Sequence, residues 1–237
     1  MRGLRQLLVC VAVVLLVSSS ASAAPPRRAV IWLHGSPGSN RSPKVPRLQK
    51  RLRSLGIAVH NPDLNSARAH GLRVGGADGY SVTHAMKIVE KLIERERLDE
   101  VVLVGHSFGG YVAANIGSKS KHRAKVKGVV LIAPAFDTPL AEIEQRLLRD
   151  DIAAKHDPYP SLPREMPVKI YHGSKDKDVP LSRSRIFHRQ HRQRGGHSEL
   201  TTMVDDHVIR GRDNERRLLD ESAAFVGSAF GLGGGGL

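Results

Sequence analysis

One short stretch, Gly105-His106-Ser107-Phe108-Gly109, limits the folds open to this chain more than any other. Before it runs Val101-Val102-Leu103-Val104, short, β-branched and uninterrupted, as in a strand buried on both faces. After it come Gly110 and Tyr111-Val112-Ala113-Ala114-Asn115-Ile116, a helical stretch with small residues to meet a sheet. G-x-S-x-G between a strand and a helix makes a turn too tight for a Cβ at either glycine. Such a turn holds Ser107 in a strained backbone conformation, presents its hydroxyl, and aims the Phe108 amide at a reacting carbonyl.

The remaining chain alternates in the same way. Strands are expected at residues 29–33, 57–60, 101–104, 128–133, 168–171 and 199–204. Helices are expected at 44–55, 81–98, 181–194 and 214–230. Their apolar stripes include Leu48 and Leu52 in the first, Ala85 and Val89 in the second, and Leu218, Leu219 and Ala223 in the last. The alternation predicts an α/β fold: a mostly parallel sheet of about six strands with helices on both faces. Chemistry then belongs at the carboxyl ends of the strands. Residues 64–80 form a polar, glycine-rich loop. Residues 134–167 form an insertion with a charged helical middle, enough for a small lid only. The glycine-rich tail, 231–237, is expected to be disordered. One domain is therefore expected over 24–230.

Residues 1–23 read as a secretory signal peptide. Arg2 and Arg5 precede an apolar run at 7–17, and Ala21-Ser22-Ala23 fits the small-residue cleavage pattern. Eleven apolar residues fall well short of the roughly 20 that span a bilayer. The expected location is therefore secreted or periplasmic. Cys10, the one cysteine, lies inside this leader, which leaves the mature chain without a disulfide, a thiol nucleophile or a thiolate metal site.

The formal net charge is +14, and loss of Arg2 and Arg5 leaves +12. That leaves room for a weak attraction to anionic surfaces. Aromatic residues are 4% of the chain, which argues against the base-stacking platforms of nucleic-acid binders. No H-E-x-x-H and no phosphate-binding glycine loop is present, and Gly75-Gly76 does not fit G-x-G-x-x-G.

Three further motifs stand just after expected strands. His34-Gly35 follows the first. Gly173-Ser174-Lys175-Asp176-Lys177-Asp178-Val179-Pro180 follows the fifth. Val204-Asp205-Asp206-His207 follows the last. With the Ser107 turn these four motifs, in this order, make the chain resemble the α/β-hydrolase superfamily, as a compact member of its serine-nucleophile branch. The resemblance covers about residues 29–230. It implies Ser107 as nucleophile, Asp176 as the acid of a G-x-x-D-x-x-V-P loop, and His207 as the base, in the order this fold uses. It implies backbone N–H groups of Ser36 and Phe108 as the oxyanion hole, and no metal or organic cofactor.

Asp178 and Asp137 are competing acids, the latter because some members carry the acid one strand earlier. His197 competes with His207 but precedes the last strand, at the wrong end of the sheet. Asp205 and Asp206 depart from the small residues usual beside the family's histidine, and could act on its pKa or orient its loop. The resemblance implies an exported serine hydrolase of carboxylic esters or thioesters, with a small-molecule substrate. An acyltransferase using the same triad and a non-catalytic binding protein on the same fold are the alternatives. The short insertion favours a small or soluble substrate.

Overall fold

The computed structural model describes residues 24–36, 40–64, 81–137 and 156–232. Six strands form one wholly parallel sheet: β1 (Arg28–Leu33), β2 (Ala58–His60), β3 (Glu100–His106), β4 (Val126–Ile132), β5 (Val168–Gly173) and β6 (Ser198–Met203). Their order is β2-β1-β3-β4-β5-β6. The helices are α1 (Lys44–Leu52), α2 (Val82–Arg95), α3 (Phe108–Lys119), α4 (Leu181–Gln193) and α5 (Arg212–Ala229), with short 3-10 turns at Arg53–Leu55 and Arg123–Lys125. The expected signal peptide, most of the expected 64–80 loop, the middle of the expected insertion at 138–155 and the end of the tail lie outside the described residues.

Why the sheet is covered on both faces is visible within β1. Ala29, Ile31 and Leu33 pack in one cluster with Val89 of α2, Val112 of α3 and Phe187 of α4. Val30 and Trp32 point to the other side, where Leu48 of α1 and Leu218 and Val226 of α5 complete a second cluster. Period-two alternation in a strand with two apolar faces thus produces two cores. The chain steps from β1 outward to β2, then crosses back over β1 to β3 and continues the other way. That reversal opens a crevice at the carboxyl ends of β1 and β3, where α/β sheets bind ligands.

Both ends of the insertion belong to the core. Phe136 is fully buried and stacks on Phe187 at 4.5 Å between ring centroids. Leu162 and Met166 lie against Gly117 of α3, where a Cβ would meet the Leu162 side chain at 2.7 Å. His156 bridges Thr83 and Asn115 at 2.8 and 3.3 Å. The return leg of the insertion thus runs along α2 and α3.

Candidate active site

Ser107 caps α3 with φ 54° and ψ −120°, outside the basins that side chains favour. Four backbone bonds hold it there. Its N–H donates to Ile132 O at 2.9 Å, and its carbonyl accepts from Gly110, Tyr111 and Ala135. Such strain persists only where the surroundings over-determine it. The glycines explain themselves. A Cβ on Gly105 would lie 2.3 Å from Gly109 O, and one on Gly109 would lie 2.2 Å from Leu33 O. Gly35 meets the same turn from β1, because a Cβ there would sit 3.0 Å from both His106 Nδ1 and Ser107 Cβ. Ser36 therefore follows a residue in contact with the serine, and Phe108 opens α3 at its positively polarised end. Ser107 is only 6% exposed, less open than the sequence suggests.

Asp176 and His207 come together from loops 31 positions apart, with Nδ1 to Oδ2 at 2.7 Å. The Asp176 carboxylate is wholly buried. Its Oδ1 accepts from the Asp178 and Val179 amides, both at 2.9 Å. Its Oδ2 accepts from His207 and from His172 Nε2 at 3.1 Å. Burial alone would raise its pKa, but hydrogen bonds from His172, His207 and Val179 outweigh it and hold the carboxyl well below the usual range. The ionised carboxylate only accepts, so His207 Nδ1 carries a hydrogen, and Nε2 is the ring nitrogen that Asp176 does not hold.

Asp205 and Asp206 pin the histidine loop. Asp205 accepts from the Asp206, Arg210 and Gly211 amides and from Asn214 Nδ2. Asp206 Oδ1 accepts from the Val208 and Ile209 amides at 3.0 Å each. Loop geometry is thus the role in which the structure shows them. Of the competing residues, Asp137 pairs with Arg183, Asp178 is exposed, and His197 lies at the opposite end of β6, its carbonyl accepting from Val168 N–H.

Two histidines to which the sequence reading gave no role enter the site. His172 is fully buried at the end of β5. Its Nε2 faces two acceptors, Asp176 and Val179 O at 2.9 Å, so it carries a hydrogen, while Nδ1 meets Ser184 Oγ at 2.8 Å. His106, beside Ser107, donates from Nε2 to the His207 carbonyl at 3.0 Å, and the two rings lie 4.8 Å apart. Burial first, then the His207 charge, pushes its pKa down to about 4. Both residues were visible as neighbours of motif residues, His172 before Gly173 and His106 within G-x-S-x-G.

A cleft of about 350 Å³ opens at this end of the sheet, lined by Gly35, Ser36, His106, Ile132 and His207 among others. Asp176, Asp178 and His207 bring one ligand atom each within 4.8 Å of one another. Both Asp176 oxygens already accept two hydrogen bonds, a donor set suited to orienting a histidine rather than to coordinating an ion.

A parallel sheet whose strand order reverses at β1 and β3, with a serine-bearing turn and a buried Asp–His pair at that end, defines an α/β-hydrolase arrangement. The chain belongs to the alpha/beta hydrolase family, whose model matches residues 30–229. It is 30% identical over 123 residues to a proposed esterase/lipase 2 of Mycoplasma pneumoniae, an alignment that spans 52% of this chain and 43% of that protein. Its fold is similar to that of Est1E from Butyrivibrio proteoclasticus, seen with ferulic acid bound, at TM-score 0.67 and 15% identity over 86% of this chain and 90% of that one. It is also similar to a monoacylglycerol lipase of Paleococcus ferrophilus, at TM-score 0.62 and 18% identity over 86% and 96% of the two chains.

Proposed function

We propose that this protein is a serine hydrolase of small carboxylic esters or thioesters. The carrying observation is the buried Asp176 carboxylate bonded at 2.7 Å to His207 Nδ1, at the end of the sheet where the strained Ser107 turn lies. His207 Nε2 takes the Ser107 proton as the hydroxyl attacks the ester carbonyl. Asp176 fixes the imidazole tautomer and stabilises the imidazolium. The N–H groups of Ser36 and Phe108 receive the developing oxyanion, each worth about 3 kcal/mol of barrier by the precedent of such donors. His207 then returns its proton to the leaving alcohol or thiol, and water activated by the same histidine releases the acid. The reaction calls on no cofactor. Esterase/lipase relatives and structural neighbours support this class of chemistry.

The test is hydrolysis of 4-nitrophenyl esters of rising chain length. The expected result is turnover of acetate and butyrate esters, decline beyond medium chains, and loss with Ser107→Ala. Turnover undiminished in Ser107→Ala contradicts the reading, and a preference for long chains contradicts its substrate range. We further propose export, on the strength of the 1–23 leader pattern; amino-terminal sequencing of protein from outside the cell should begin at Ala24.

A further inference from the structure

The cleft beside His207 has a second polar end. Lys44, the first residue of α1, lines it and is only 6% exposed. Lysines are rarely held so deep without a partner. Its ammonium meets Glu215 of α5 at 3.2 Å, and the same carboxylate also takes Arg47. Two cations thus share one anion, and of these three groups only Lys44 lines the cleft. Ser42 lines the cleft beside it, with its hydroxyl turned to the Lys44 amide at 3.4 Å. Asp178 also lines the cleft, but it is exposed, where water and salt screen its charge. Lys44 is inside, where screening is weak. Its charge is also felt across the cleft by His106, whose pKa it lowers after burial and the His207 charge.

A neutral acyl chain gains nothing from such a charge, whereas a carboxylate gains a charge-assisted hydrogen bond in a partly dry site. We propose that the cleft is a subsite for a carboxylate carried by the substrate, anchored by Lys44, so that monoesters of dicarboxylic acids are the preferred esters. The proposal rests on the serine-hydrolase reading and narrows its substrate class. Glu215 competes with the substrate carboxylate for the same ammonium, which sets its strength.

The experiment compares the mono-4-nitrophenyl ester of adipic acid with 4-nitrophenyl hexanoate, its uncharged counterpart of equal chain length. The readout is the ratio of kcat/KM values in the full chain and its variants. Wild type should favour the adipate ester. Lys44→Met should lower the ratio about tenfold, the scale of one hydrogen bond to a charged group. Glu215→Gln, which frees the ammonium, should raise the ratio, an opposite sign that general damage to the fold would not produce. Hydrolysis of the hexanoate ester without preference for the adipate ester, or a ratio that Lys44→Met leaves unchanged, overturns the subsite. Hydrolysis of neither ester counts against the hydrolase reading instead. The subsite is then decided by adipate itself, which should raise the melting temperature of wild type but not of Lys44→Met; no rise in wild type overturns it.

Discussion

The Ser107 turn and the loops that carry Asp176 and His207 lie at one end of the sheet but are held by opposite means. At the turn, geometry is fixed by exclusion. Gly35, Gly105 and Gly109 lack side chains where strand, helix and loop approach, and Ser107 sits at φ 54° because its backbone bonds permit nothing else. At the acid and histidine loops, geometry is fixed by saturation. Asp176 accepts four hydrogen bonds, and Asp205 and Asp206 between them accept six. The first region should fail when atoms are added and the second when an acceptor is lost.

The largest effect is expected from Asp176→Asn. Whichever way the amide turns, its NH2 faces donors: the Asp178 and Val179 amides, or His172 and His207. The His207 tautomer is no longer enforced, so ester turnover should fall about 10³- to 10⁴-fold, measured as kcat. Next comes the turn. Gly105→Ala places a Cβ 2.3 Å from Gly109 O, a backbone atom that cannot swing away. It should cost about 3 kcal/mol or more in urea unfolding. An alanine protein of wild-type stability would end the exclusion half of the comparison.

His106 joins the two regions, and pH exposes it. A histidine in the unfolded chain titrates near 6.5, but folded His106 is pushed down to about 4. Between those values the unfolded chain binds a proton that the folded chain does not. Stability from this group is therefore full above pH 6.5 and falls as the pH drops towards 4, by about 3 kcal/mol at most. His60, His188 and His191, also lowered by burial, act in the same direction. The informative quantity is thus the difference between wild type and His106→Gln, which should have a shallower acid slope in urea unfolding. Asp176, whose pKa is lowered, adds its loss only at still lower pH. The smallest effect is expected from His172→Gln, which leaves Asp176 three of its four donors. A loss of about tenfold in kcat is expected, and no loss would mean that His172 only fills space.

Much of the fold was legible because it depends on patterns that repeat. The runs at Val101 and Val129 and the stripe through Ala85, Ile88, Val89 and Leu92 place strands and helices directly, and all six expected strands occur in one parallel sheet. The turn was legible because steric exclusion leaves glycines in the sequence. The contacts of His172, His106 and Lys44 were not. A histidine or lysine in a loop or at a helix start leaves no period, and its burial depends on residues as distant as Glu215 from Lys44. The strand order was likewise beyond the pattern, since periodicity does not say which way a crossover turns.

The central claim is that Ser107 is the nucleophile that the Asp176–His207 pair activates. It is tested most directly by treating folded protein with a fluorophosphonate and locating the adduct by mass spectrometry. One adduct on Ser107, absent in Ser107→Ala and strongly slowed in Asp176→Asn, is the expected result. Folded wild-type protein that takes no label, or takes it on another residue, would contradict the claim.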